Sequence, residues 1–275
     1  MKIAYFGYDF FYSCLEHILD AGHEVLGLYT FETDNKYNFN EKVTSLAKSR
    51  GVPIKNSKVS VGDLTLLERQ ECELLVVAAY PYRIPIGSTV LRGVNVHPSL
   101  LPEGRGPWPL PHVILMGLQE GGVSIHKLAS KFDSGAVLAQ RRFSVDTANE
   151  NIETLSCKLQ LAAAPLLAGV LAQLDSYWLN AVTQGEGSYW PFPSDEDMML
   201  DWNKGVMDIH RVVRAYGKMH STAEFDGKRW NVSDASVWQE EHRYEPGYVV
   251  LRTNREALVA ARDGYVCLRI FEEEV

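Results

Sequence analysis

At 275 residues, with 46% hydrophobic and 23% charged residues, the chain has the composition of a globular enzyme with room for two domains. Its formal net charge of -8 argues against a polyanion as the main partner, and no apolar run is expected to reach the length of a membrane span. Met1 to Gly7 carries one positive charge and leads into Asp9 and Glu16, unlike a signal peptide, and Cys14, Cys72, Cys157 and Cys267 are scattered as reduced thiols would be, so a soluble, cytoplasmic protein is expected.

In chain order, Lys2 to Gly7 reads as a strand. Phe10, Phe11, Cys14, Leu15, Ile18 and Leu19 follow at helical spacing until Gly22. Glu24 to Thr30 is a second strand, Val43 to Arg50 a helix stopped by Gly51, Val52 to Ile54 a short strand, and Leu74 to Ala79 a fully buried one. Strands alternating with helices predict a Rossmann-like, doubly wound, mostly parallel α/β sheet with its ligands beyond the carboxyl ends of the strands. Gly7-Tyr8-Asp9-Phe10 lacks the G-x-G-x-x-G spacing, so no dinucleotide is indicated.

Gly93 to Val96 is a short strand running into a loop, Pro98 to Pro107, whose prolines and glycines constrain the backbone. Asn95 and His97, at i and i+2, share one face of that strand and both can address one reacting atom. Leu110 to Met116 reads as helix, and Val123 to Leu128 and Val137 to Val145 as strands. Between the two strands, a turn from Ala129 to Gly135 presents Asp133 to the same cleft. Glu150 to about Tyr177 is a long helix closing a first domain, 1-183. The glycines and prolines of 184-194 suit a linker, and 195-275, with a helix from Lys204 to Tyr216 and turn signals at Asp226-Gly227 and Asp263-Gly264, predicts a small OB-like β-barrel. Glu272-Glu273-Glu274 reads as a solvated tail.

Asn95-Val96-His97, the loop Ser99-Leu100-Leu101-Pro102 with Arg105-Gly106, and the turn containing Asp133-Ser134-Gly135 together resemble the folate-dependent formyltransferase family. That family includes glycinamide ribonucleotide, methionyl-tRNA and amino-sugar formyltransferases. Asp201-Trp202, Ile209-His210 and Ala215-Tyr216 extend the resemblance into the C-terminal domain of the methionyl-tRNA and aminoarabinose-type members, while Pro98 after His97 is a purine-type feature. The resemblance implies 10-formyltetrahydrofolate as formyl donor and no metal. It also implies a pterin held beside Tyr82-Arg83-Ile84-Pro85 and Asp133. Tyr8, Asp9 and Arg105 are the expected substrate-binding residues.

Formyl transfer to an amine requires an oxyanion donor and a group that takes the amine proton. Asn95 suits the first task, and His97 can assist through its ring NH or shuttle the amine proton, with Asp133 orienting His97. His112 and His126 read as ordinary polar or core residues without metal-ligand spacing, and Ser99 lacks the elbow of a nucleophilic serine. From Ser188 to Val275, 11 Lys and Arg stand against 16 Asp and Glu, and the loop Phe31 to Asn40 is short and not basic. A small-molecule primary amine, above all a nucleotide-linked amino sugar, is therefore the expected acceptor, with no nucleic acid or membrane partner. Methionyl-tRNA, a hydroxyornithine or a purine precursor are the alternatives, and a homodimer is left open.

Overall fold

The computed structural model describes Met1 to Glu273. The first half alternates strands and helices as β1 (Lys2–Gly7), α1 (Tyr12–Asp20), β2 (Glu24–Thr30), α2 (Glu41–Ser49), β3 (Ile54–Asn56), α3 (Val61–Arg69), β4 (Leu74–Ala78) and β5 (Arg92–His97). Then come α4 (Leu110–Leu115), β6 (Glu120–Lys127), β7 (Val137–Ser144), α5 (Ile152–Ala172), α6 (Leu174–Leu179), α7 (Asp195–Met198) and α8 (Val206–Tyr216). The C-terminal strands are β8 (Ser221–Phe225), β9 (Lys228–Gln239), β10 (Val249–Arg252), β11 (Ala257–Ala261) and β12 (Gly264–Glu273). Two compact units result: Met1–Pro109, Glu120–Ser144 and Cys157–Pro191 form one, and Leu110–Gln119, Val145–Ser156 and Phe192–Val275 the other.

The first unit is built on a seven-stranded sheet of order β3-β2-β1-β4-β5-β6-β7. β1 to β5 are parallel, β6 runs antiparallel to β5, and the edge strand β7 runs antiparallel to β6. The strand order reverses at β1 and β4, so the carboxyl ends of these strands open the crevice where doubly wound folds bind ligands. Ala4, Phe6, Leu75 and Val77 face one way and pack with Leu64 and Leu67 of α3, while Tyr5, which faces the other way, donates its hydroxyl to the Phe11 carbonyl at 2.9 Å.

Three local expectations are corrected. Helix α3 was not anticipated, because Val61 and Leu66 are 48% and 53% exposed and blur its apolar spacing; its start is set by a reciprocal capping box between Ser60 and Asp63. Val52 is not in a strand, since its amide closes the end of α2 on the Ala47 carbonyl at 2.8 Å, and β3 begins at Ile54. The long helix breaks at Gln173 (φ -136°, ψ 38°), giving α5 and α6.

Helix α5 also corrects the expectation that no segment is long and apolar enough to cross a membrane. It has 21 residues, and an 18-residue window in it reaches a mean hydropathy of 1.6. Leu159, Ala163, Leu167 and Val170 are nevertheless buried at helical spacing, as one inner face of a helix packed on protein.

The second unit carries a five-stranded antiparallel sheet of order β10-β11-β12-β9-β8. Val232, Ala235, Val259, Val266 and Leu268 line its core with Trp202 and with Ile209 and Val213 of α8. Gly205 has no side chain to cap α8, and Asp263 from the turn between β11 and β12 does so instead, accepting from the Val206 amide at 2.8 Å. Glu272 and Glu273 extend β12, with Glu273 paired to Trp230, so they are not a tail; Glu274 lies outside the described residues.

Candidate active site

β5 ends at His97, and its pleat puts Asn95 and His97 on one side while Val94 and Val96 are buried on the other. His126 of β6 pairs directly opposite Asn95. Asp133 comes from the turn between β6 and β7 with φ +54°, a left-handed conformation that aspartate tolerates better than most residues. One of its carboxylate oxygens, Oδ1, is the point of convergence. It stands 3.4 Å from Asn95 Nδ2, 3.4 Å from His97 Nδ1 and 3.6 Å from His126 Nε2. The other oxygen accepts from the Gly106 amide at 3.0 Å. Gly106 has φ +127°, and a Cβ there would lie 2.1 Å from the Trp190 carbonyl oxygen, so the loop needs glycine at that position to reach Asp133.

The hydrogen-bond partners assign the ring tautomers. A carbonyl only accepts, so His97 Nε2 donates to the Gly104 oxygen at 2.8 Å, and its Nδ1 faces Asp133. The ring NH expected to assist transfer is thus spent on Gly104, and Nδ1 is the atom able to take a proton. His126 Nδ1 donates to the Lys127 carbonyl at 2.8 Å, leaving Nε2 to accept from Asn95 Nδ2 at 3.0 Å. Both amide hydrogens of Asn95 therefore have acceptors in the free protein.

Burial lowers the pKa of His97, against the opposing pull of the Asp133 charge and the Gly104 carbonyl, and with some help from His126; the ring is held below its ordinary value. Burial alone would raise the Asp133 pKa, but the neighbouring imidazoles of His126 and His97, each a potential cation, and the hydrogen bond from the Gly106 amide keep it below the usual carboxylate range. Both folded values lie under the unfolded ones. As pH falls through about 6.5, the unfolded chain takes up a proton that buried His97 resists, and the Asp133 contribution, present above about 3.9, is lost as pH falls through its folded value. Thermal unfolding between pH 8 and pH 4 should accordingly show a melting temperature that declines on the acid side from about pH 6.5, with a smaller early decline in His97→Gln. A melting temperature that rises between pH 7 and pH 5 would contradict this burial of a neutral ring.

The other expected site residues are placed as follows. Arg83 Nη2 donates to the Ser130 carbonyl, which joins the 82-85 segment to the turn carrying Asp133. Tyr82 is 37% exposed and packs edge-on near Phe31, with ring centroids 6.3 Å apart; Tyr8 also meets Phe31 edge-on, at 5.4 Å. Ile84 is buried. Burial, helped by the charge of Asp34, pushes the Tyr8 hydroxyl up to about 12. Asp9 accepts from the Lys42 and Val43 amides at 3.1 and 2.9 Å, serving as the cap of α2 that Asn40 does not supply. Arg105 gives Nε to Gln184 Oε1 and Nη2 to the Gly185 carbonyl, both at 2.9 Å.

Two residues were not anticipated. His126, expected as an ordinary polar or core residue, is buried, and the contact that the expectation leaves out is its Nε2 accepting from the Asn95 amide across the β5-β6 pair. Gln184 falls in the expected linker, where nothing in the composition marks it. Among the described residues, no group of three or more His, Cys, Asp and Glu is arranged to hold a metal ion. Replacing His126 by leucine, similar in bulk but without the acceptor nitrogen, should leave the Asn95 amide under-bonded and reduce kcat about tenfold, with the acceptor KM little changed. Unaltered kcat in that variant would return His126 to a packing role.

An amide, an imidazole with an open nitrogen and a carboxylate, gathered at the carboxyl edge of a doubly wound sheet, make a site suited to transfer at a carbonyl carbon with movement of one proton. The chain belongs to the formyl transferase family: the model described as "Formyl transferase" matches residues 37–171, and that described as "Formyl transferase, C-terminal domain" matches 194–274. It is 30% identical to the methionyl-tRNA formyltransferase of Coxiella burnetii (strain RSA 331 / Henzerling II) over 283 residues, covering 98% of this chain and 89% of that protein. Among solved structures, the N-formyltransferase from Helicobacter canadensis, in complex with folinic acid and dTDP-3-aminofucose, superposes with a TM-score of 0.71 at 14% identity over 99% of both chains. HypX from Aquifex aeolicus in complex with tetrahydrofolic acid gives 0.72 at 19% identity; all of this chain aligns, with 44% of that one.

Proposed function

We propose that this formyltransferase moves a formyl group from 10-formyltetrahydrofolate to a primary amine on a small molecule, with a nucleotide-linked amino sugar as the leading acceptor class. The donor reading is supported by the fit of the two irregular segments tied together by Arg83 and Ser130, where Tyr82 to Pro85 and the Asp133 turn would hold a flat, hydrogen-bonding pterin. Bound there, the donor supplies the formyl carbonyl. Asn95 Nδ2 turns from Asp133 to the developing oxyanion while His126 keeps its other hydrogen. His97 Nδ1 receives the proton of the attacking amine, and Asp133 beside it stabilises the resulting imidazolium. As the adduct collapses, with cleavage of the bond from the formyl carbon to N10, the imidazolium returns that proton to N10 of the departing tetrahydrofolate.

The acceptor reading rests on the loop after β2. Asp34 Oδ1 accepts from the amides of Lys36, Tyr37 and Asn38 at 2.9, 2.8 and 2.8 Å, folding that loop into a closed turn with a single lysine and no arginine. Phosphate contacts dominate nucleic-acid affinity; this loop is poor in cations, and the 188-275 segment is acidic in total, with 11 Lys and Arg against 16 Asp and Glu. The identity to a methionyl-tRNA formyltransferase supports tRNA as the second reading. Formylation assays with a panel of nucleotide-linked amino sugars beside methionyl-tRNA at low salt separate the two. Turnover of a sugar with tRNA inert is the expected result, and efficient formylation of tRNA with every sugar inert reverses the assignment.

A further inference from the structure

We propose that Gln184 is a positioning residue, through which the segment Val182 to Trp190 holds in place the two groups that face the His97 ring nitrogens. His97 is contacted at Nδ1 by Asp133 and at Nε2 by the Gly104 carbonyl, and those groups come from separate loops. One strap ties both. At its start, Val182 and Val137 exchange two backbone hydrogen bonds at 2.8 Å, anchoring the strap to the first residue of β7. Gln184 Nε2 then donates both its hydrogens, to the carbonyls of Asp133 and Gly135, each at 2.7 Å. Its Oε1 accepts from Arg105 Nε, which belongs to the other loop. Further on, the Gly104 amide donates to Ser188 Oγ at 2.9 Å, the Arg105 amide to the Ser188 carbonyl at 3.1 Å, and the Trp190 amide to the Arg105 carbonyl at 2.7 Å.

Only a primary amide offers two donors and an acceptor on one short side chain, and here all three serve to bridge the loops. Asp133 sits at φ +54°, which most residues disfavour, and its carbonyl is clamped by Gln184 while its carboxylate is aimed at His97. Releasing that clamp lets the turn relax and carries Oδ1 away from Nδ1. Because catalytic groups must be held to within about half an ångström of their working geometry, the loss falls on turnover and not on acceptor binding.

The inference rests on the transfer reading above, and its test keeps the two apart. In Gln184→Met, which keeps length without polarity, kcat should fall at least about tenfold while the acceptor KM changes less than about twofold. The groups facing His97 are Asp133, His126 and the Gly104 carbonyl. Loss of the Asp133 attraction should therefore move the His97 titration, followed by NMR of ring-labelled, ligand-free protein, downward by about half a pH unit or more. Gln184→Glu preserves the acceptor for Arg105 but turns a carboxylate towards two carbonyls. It should fail to rescue either readout, whereas a role confined to holding Arg105 predicts full rescue. A lower melting temperature with an unchanged His97 titration and kcat, in whichever variant folds, overturns the proposal. If the parent formylates no amine at all, the functional reading fails, and the ligand-free titration still decides the role of Gln184.

Discussion

Asn95→Ala and His97→Ala are each expected to fold and to lose about a hundredfold or more in kcat, with acceptor KM close to that of the parent. In the proposed transfer Asn95 would supply the hydrogen bond that strengthens only as the carbonyl oxygen becomes an oxyanion, and one such donor commonly accounts for roughly a hundredfold to a thousandfold. On the same proposal His97 Nδ1 would take the proton whose loss keeps the tetrahedral adduct from reverting to the free amine. Asp133→Ala should join them, because it removes the carboxylate that shares Oδ1 among the three neighbouring nitrogens. Since the three act as a unit, a double variant should lose little more than the worse single one. Steady-state kinetics at saturating acceptor check this. Near-parental turnover in any of the three would remove that residue from the transfer step.

A second large effect is expected at Gly135, and it falls on stability. A Cβ there would lie 1.8 Å from the Lys127 carbonyl oxygen, and the Lys127 amide is itself bound to the Ala136 carbonyl at 2.9 Å, so the strands cannot part without breaking the end of the hairpin. Overpacking of this kind costs about 3 kcal/mol. Gly135→Ala should therefore lower the melting temperature by roughly 5 to 10 °C. It should also depress kcat, because Gln184 grips the Gly135 carbonyl together with that of Asp133. Gly169 provides the contrast: it lies in α5, and nothing stands within 4 Å of a Cβ built there, so Gly169→Ala should stabilise by about 0.5 to 1 kcal/mol through helix propensity. Equal melting temperatures for the two variants would refute the steric argument.

What was legible in the chain follows from which forces act locally. The period-two and period-3.6 patterns over Lys2 to Thr30 and the buried run at Leu74 marked the doubly wound half, because burial on a sheet or helix face leaves a period. Asp226-Gly227 marked its hairpin because a type of turn demands particular residues. Asn95 and His97 were legible as a pair for the same reason, through the strand pleat. The roles of their nitrogens were not. These depend on the Gly104, Lys127 and Asp133 oxygens, brought up by chain folding and carrying no signal in spacing. Gln184 shows the same limit: a segment rich in glycine and proline has linker composition whether it wanders or, as here, is stitched down by backbone hydrogen bonds.

The interleaving of the two compact units bears on how such a protein can be taken apart or recombined. Leu110–Gln119 and Val145–Ser156 cluster with the C-terminal segment, and Cys157–Pro191 with the N-terminal one. A gene cut near codon 183 would yield a front fragment without Gln184 and Ser188, and a back fragment without α4 and the first turn of α5. Neither product would be a module in the sense that fusion engineering or exon-like shuffling needs. A chimaera that exchanges acceptor preference between relatives should therefore carry the two internal stretches along with the tail, or graft single loops and leave the scaffold whole.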